Sequence, residues 1–226
     1  PRKVGARMIV HADGSIRGTI GGGALEKLVT SDALSALGRK KSFLKTYPLD
    51  KKSGLQVCGG KVSVFIECAE PSLKLVICGG GHIGLALSYI AKLLGFRVTV
   101  LDHRRDFASP RRFPHVDEVV CAPYASALKK RAIDAGTFLV IVTHGHAFDE
   151  VCLESALKTP AGYIGMIGSR KKIRFIFDRL KGKGFKEAAL KKVHTPIGLD
   201  IGAETPEEIA VAIAAELVKV QRTKTR

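Results

Sequence analysis

The stretch LKLVICGGGHIGLALSYIAKLLGFRVTVLD, residues 73–102, constrains the fold more than any other part of the chain. Leu73 to Cys78 is a short apolar run rich in branched residues, as a strand buried on both faces of a parallel sheet requires. Gly79, Gly81 and Gly84 follow at once in G-x-G-x-x-G spacing, with His82 inside the loop. In that spacing the first glycine makes the tight turn. The second lets a pyrophosphate approach the backbone, and the third lets helix and strand pack closely. Ile83, Ala86, Leu87, Ile90, Ala91 and Leu94 recur at helical intervals, and Gly95 is placed to end that helix. Phe96 to Leu101 reads as a second strand closed by Asp102, an acid at the position that holds a ribose hydroxyl in dinucleotide sites.

The same alternation continues downstream. Strands are expected at 117–121, 137–142 and 161–166, and helices at 126–135, 146–158 and 170–180. Ser169 is placed to cap the helix that starts at Arg170, and residues 181–192 read as basic and irregular. Thr205-Pro206-Glu207-Glu208 forms a capping box ahead of a last helix carrying Ile209, Ile213, Leu217 and Val220. The first 70 residues have another character. Short strands at 7–10 and 15–20 flank an Asp13-Gly14 turn, and Gly21-Gly22-Gly23 precedes a helix that Gly38 is expected to end. Strands at 43–49 and 62–66 follow, separated by a second glycine loop, Cys58-Gly59-Gly60. The expected fold class is therefore α/β. A C-terminal Rossmann-like, doubly wound parallel sheet in residues 71–226 is preceded by a small α+β domain in residues 1–70.

In such a sheet ligands lie beyond the carboxyl ends of the strands. The loop Gly79–Gly84, Asp102, the turn Thr143–His146 with His144, and the turn Gly165–Arg170 with Gly168, Ser169 and Arg170 all fall there. Arg170, Lys171 and Lys172 at a helix start offer a setting for a second phosphate. Asp102 favours a free 2′-hydroxyl, whereas His103, Arg104 and Arg105 after it tolerate a 2′-phosphate, so the residues leave NAD and NADP open. His144, His146 and Asp149 match no common metal spacing and read better as polar contacts.

Cysteines stand at 58, 68, 78, 121 and 152 with no C-x-x-C pair, which argues against a disulfide framework or structural zinc and fits a reducing cytoplasm. Cys58 differs from the others. Flanking glycine and Lys61 favour an exposed thiolate, suited to a soft metal centre or to sulfur transfer, while the other four read as core residues. The net charge of +16 permits anionic ligands, an acidic protein partner or nucleic acid. No helix-turn-helix, zinc-finger or RNP-type aromatic pattern supports the nucleic-acid reading, so no nucleic-acid partner is expected. No apolar run reaches the length of a membrane helix, so no membrane partner is expected either. There is no G-x-S-x-G elbow and no phosphate loop of the G-x-x-x-x-G-K-[ST] type.

PRKVGARMIV with DGSIRGTIGGGALE, and QVCGGKVSVFIE, resemble the opening domain of the XdhC/CoxI maturation factors for molybdenum hydroxylases. CGGGHIG, DHRRDFA, THGHAFD, YIGMIGSRKK and PIGLDIGAETPEEIAVAIAAEL resemble that family's Rossmann domain. The resemblance implies a chaperone that binds molybdenum cofactor, in its molybdopterin or dinucleotide form. Such a chaperone assists sulfuration of the cofactor and its insertion into a xanthine dehydrogenase-like apoenzyme. It further implies a sulfur donor such as a cysteine desulfurase as partner, and a homodimer. The family's cofactor-linked cysteine falls on Cys58, with Gly59 and Gly60 beside it and Gly21, Gly22 and Gly23 as the neighbouring loop. Its dinucleotide site, with NAD(P) as a further occupant, falls on Gly79, Gly81, Gly84 and Asp102. The family commonly carries Arg where His144 stands, and it usually has a further strand and helix before the Pro-Arg-Lys segment, whose absence would make the first domain incomplete. The Rossmann signature alone would instead fit an NAD(P)-dependent oxidoreductase, against which no substrate domain with an acid–base pair follows the nucleotide domain.

Overall fold

The computed structural model describes residues 3–49, 60–69 and 73–224, and the chain divides into two compact units, Pro1–Glu70 and Pro71–Arg226. In the first, β1 (Met8–Val10) and β2 (Ile16–Gly18) pair antiparallel across a turn in which Asp13 accepts from the backbone and hydroxyl of Ser15. After α1 (Gly23–Arg39), β3 (Phe43–Pro48) and β4 (Lys61–Ile66) form a second antiparallel pair. Leu25, Val29, Ala36, Tyr47 and Ile66 make the small core. The Tyr47 hydroxyl donates to Asp32 (2.5 Å), a residue of α1 that also pairs with Lys45 (2.7 Å), so the helix is tied to β3.

Gly38 does not end α1. The helix continues to Arg39, and Lys40 takes the left-handed conformation at φ 51°. Its N–H reaches the Leu37 carbonyl, and the Lys41 N–H reaches that of Ala36. This pair of bonds satisfies the last carbonyls of the helix, whose last turn carries the buried Ala36.

The second unit is built on a five-stranded parallel sheet. In chain order it comprises β5 (Lys74–Cys78), α2 (His82–Leu93), β6 (Arg97–Asp102), β7 (Glu118–Cys121), α3 (Tyr124–Lys129), β8 (Thr137–Ile141), α4 (His146–Leu157), β9 (Tyr163–Met166), α5 (Arg170–Gly182), α6 (Glu187–Leu190) and α7 (Pro206–Lys224). The strand order β7-β6-β5-β8-β9 reverses direction between β5 and β8. Successive side chains of a strand face opposite sides. Leu75 and Ile77 accordingly enter the core under α2 and α7, while Val76 and Cys78 enter the one under α3, α4 and α5. Helices on both faces make the sheet doubly wound, the α/β class expected.

In this unit two segments differ most from the sequence expectation. α3 begins at Tyr124, directly after Pro123, and stops at Lys129 rather than running over 126–135. Ser126 lies inside its first turn, its hydroxyl donating to the Pro123 carbonyl. Beyond it the Asp134 carboxylate accepts from Gly136 N–H and the Thr137 hydroxyl, a local turn that competes with helix. The segment 181–192 contains the short α6.

After α6 the chain returns along β9, where His194 N–H donates to Ile164 O and His194 O accepts from Met166 N–H. Glu216 of α7 anchors this return. Its carboxylate, buried, accepts from the Tyr163 hydroxyl (2.8 Å) and Gly198 N–H (2.6 Å) and lies 2.7 Å from His194 Nδ1. Removing one partner of such a network strands the others. Glu216→Ala is expected to destabilise the protein by about 3 kcal/mol, read as a lower urea midpoint, whereas Glu216→Gln should recover most of it.

Candidate functional site

The crevice forms where the strand order reverses, because the loops after β5 and β8 leave in opposite directions there. Gly79 N–H donates to Leu101 O (2.8 Å) and Val142 N–H to Cys78 O (2.8 Å), so the glycine loop is stitched to the ends of both neighbouring strands. The glycines serve different ends. A Cβ on Gly79 would lie 2.3 Å from Val142 O, and on Gly84 2.0 Å from Gly79 O. On Gly80 it would lie 1.8 Å from Phe107 O, so this glycine, outside the three-glycine fingerprint, is equally required. A Cβ on Gly81 would meet nothing within 4 Å. Gly81 is the N-cap of α2, with no side-chain cap hydrogen bond, and His82 beside it is exposed. An uncapped helix N-terminus with open space at the second glycine fits the phosphates of a nucleotide.

Asp102 ends β6 wholly buried. One oxygen accepts from Gly80 N–H (2.9 Å) and Arg104 Nη2 (2.9 Å), the other from Arg104 N–H and Nε (both 3.0 Å). Burial alone would raise the carboxyl pKa. The Arg104 and Gly80 donors outweigh it and hold the group at about 2. The acid expected to meet a ribose thus braces the glycine loop instead. Its neighbour His103 stacks on Phe148 (ring centroids 4.2 Å) and meets Tyr124 edge-on (5.6 Å), forming an aromatic cover beside the loop that sequence reasoning missed. A Phe on the exposed side of the first turn of α4 was its one visible signal.

In the β8–α4 turn His144 and His146 are exposed, while Asp149 is buried beneath them, accepting from the Thr143 hydroxyl (2.6 Å) and paired with Lys172. Asp149 is therefore not presented with the histidines. Among the described residues no three His, Cys, Asp or Glu side chains gather as metal ligands. Ser169 caps α5 by accepting from Lys172 N–H. Because the Lys172 ammonium is taken by Asp149, Arg170 and Lys171 are the two of these three cations that remain exposed at that helix start.

In the first unit the amides of Ile20, Gly21 and Gly22 all donate to Glu26 Oε1, at 3.0, 3.3 and 2.8 Å. The Thr19 hydroxyl joins them and, with those amides, holds the Glu26 pKa down. The loop Gly21–Gly23 is thus closed on a carboxylate of its own helix. Gly60 accepts from Leu49 N–H (2.9 Å), whereas Cys58 and Gly59 lie outside the described residues. Cys78 and Cys152 are buried core residues, as expected. Cys121 is exposed and Cys68 half-buried; Cys121 ends β7, the outermost strand, where one flank has no neighbour to cover it.

Comparison with known proteins bears on both units. Residues 75–217 match the family model described as the XdhC Rossmann domain, and residues 1–48 match that of the XdhC and CoxI family. The chain is 36% identical over 220 residues to the uncharacterized protein YqeB of Escherichia coli K12, covering 96% of this chain and 40% of that one. It is 29% identical over 160 residues to a probable xanthine dehydrogenase subunit of Bacillus subtilis, covering 71% and 46%. It thus spans less than half the length of these curated relatives. The crystal structure of a xanthine dehydrogenase from Bacillus halodurans matches 99% of this chain and 88% of its own at a TM-score of 0.61 and 23% identity, a likeness of fold. With the Rossmann-domain model spanning well over half of its residues, the chain belongs to the XdhC/CoxI family.

Proposed function

We propose that this chain is an accessory factor for a xanthine dehydrogenase-type molybdenum hydroxylase, binding molybdenum cofactor and assisting its sulfuration and insertion. The observation that carries the reading is the pairing of both family matches in one chain with an open, uncapped glycine loop at the sheet edge. Names among the relatives point to the same enzyme class. The partners of this reading are the hydroxylase apoenzyme and a sulfur donor such as a cysteine desulfurase, in a reducing cytoplasm where thiols persist.

The assignment of Cys58 rests on its sequence setting, Cys58-Gly59-Gly60-Lys61. When bound there, the cofactor would supply a soft metal centre and a site for a terminal sulfur. The chain's contribution is a thiolate that can ligate such a metal or carry sulfur received from the donor. Gly59 and Gly60 allow close backbone approach, and Lys61 favours the thiolate. The glycine loop of the second unit would hold phosphate through the first-turn amides of α2.

Cys58→Ala is expected to fold as the parent does, since a small residue replaces a small one, and to lose at least about tenfold in retained pterin and molybdenum and in activation of a hydroxylase apoenzyme. Fluorescence of the released pterin and metal analysis measure the first, and reconstitution of the apoenzyme the second. Cys152→Ala, which alters a buried residue on the sheet side of α4, should change neither. Undiminished cofactor retention in Cys58→Ala would sink the assignment.

A further inference from the structure

The segment after β6 sets an unusual charge balance against the glycine loop. Four donors converge on the buried Asp102 carboxylate, three of them from Arg104, and no oxygen is left facing outward. A ribose diol at this strand end needs a carboxylate oxygen to donate to. Arg104 is bound through Nε and Nη2, so Nη1 has no partner among the described residues, and the side chain remains 26% exposed. Its guanidinium lies against Phe107, 3.8 Å from the ring centroid. Arg112 approaches the same ring at 5.3 Å and donates through Nε to Gly80 O (3.0 Å). Arg105, at the start of the 3₁₀ turn Arg105–Phe107, is exposed, and its guanidinium has no partner among the described residues. Arg104 and Arg112 are thus bonded at this corner of the loop, Arg105 follows directly in the chain beside the exposed Asp106, and the Asp102 carboxylate is already committed to Arg104.

We propose that this corner is built for a phosphorylated ribose, so that the glycine loop takes a 2′-phosphorylated dinucleotide of the NADP class in preference to its unphosphorylated counterpart. The inference rests on the nucleotide reading of the Gly79–Gly84 loop. Arg104 Nη1 and the Arg105 guanidinium supply the contacts to the phosphate, whose oxygens suit their planar donors. Asp102 holds Arg104 in place and is thereby withdrawn from the ribose. Arg112 keeps the loop and Phe107 together.

Titration calorimetry on the full chain with NADPH, NADH, 2′,5′-ADP and 5′-ADP tests this. NADPH should bind at least about tenfold more tightly than NADH, and 2′,5′-ADP should exceed 5′-ADP by a similar factor. Arg105→Ala, which removes an exposed side chain and leaves the fold alone, should cut the preference severalfold without changing NADH affinity. Arg104→Ala should abolish it and improve NADH binding by freeing Asp102. Because that change also strips a buried carboxylate of its main partner, the Arg105→Ala result stands as the independent arm. Equal binding, or tighter binding of NADH, overturns this inference and leaves the nucleotide site in place. Failure of all four compounds to bind overturns both.

Discussion

Gly81→Ala is expected to leave the melting temperature within a degree or so of the parent while weakening nucleotide binding at least about tenfold, and Gly84→Ala to do the reverse damage, to the fold itself. Both are the smallest possible change, one methyl group. At Gly81 that methyl group enters open space, and the backbone φ of −68° suits any residue, so nothing in the protein resists it. On the proposed nucleotide reading a phosphate would approach the α2 amides through this open space, so the cost would fall on the ligand. At Gly84 the methyl group would lie 2.0 Å from the Gly79 carbonyl oxygen, with Ile77 Cγ2 at 3.4 Å. Backbone cannot rotate away as a side chain can. α2 would have to lift off β5, at a cost of roughly 3 kcal/mol or more, a large fraction of the stability of a typical domain. Thermal melts and nucleotide titrations on the two variants separate the roles. If Gly81→Ala binds as tightly as the parent, no phosphate approaches at the second glycine.

Acid should weaken the second unit through one carboxylate in particular. Asp102 is held at about 2, below its ordinary 3.8, so its charged form is bound more favourably in the folded chain than in the unfolded one. The resulting stabilisation, about 2 kcal/mol, is complete above the unfolded value. It declines as pH falls from about 4 and is lost once pH passes below the folded value. Asp102→Asn removes both the charge and this dependence. At pH 7 the variant should be less stable by about 2 kcal/mol, and the gap to the parent should close between about pH 4 and pH 2. Urea midpoints measured across that range give the comparison. A gap that stays constant on acidification would mean the Arg104 pair contributes nothing to folding.

The stretch 73–102 carries most of what is legible without the structure. A branched apolar run, glycines at fixed spacing, a 3.6-residue period and a second apolar run each specify local geometry, and they agree with one another. Hence β5, α2 and β6 lie where the pattern places them, and the capping box at Thr205 likewise starts α7, with Thr205 and Glu208 bonded reciprocally. The first domain's strands are legible for the same reason, through the Asp13-Gly14 turn and simple alternation.

What stays hidden depends on which side chains meet across the chain. A glycine signal stops α1 one residue too early, because Lys40 rather than Gly38 takes the left-handed cap and its N–H and that of Lys41 close on Leu37 and Ala36. Lys172 has the sequence setting of a phosphate ligand, yet Asp149, 23 positions earlier in the numbering, occupies its ammonium. Glu26 fills the glycine loop that its own helix follows, which the glycines alone could not announce. Asp102 shows the division most clearly. Periodicity and spacing locate it at the carboxyl end of β6, since strand length is a local property. Whether its oxygens face a ribose or an arginine depends on how the following turn folds back, and Phe107 decides that by taking the Arg104 guanidinium against its ring while its carbonyl closes on Gly80.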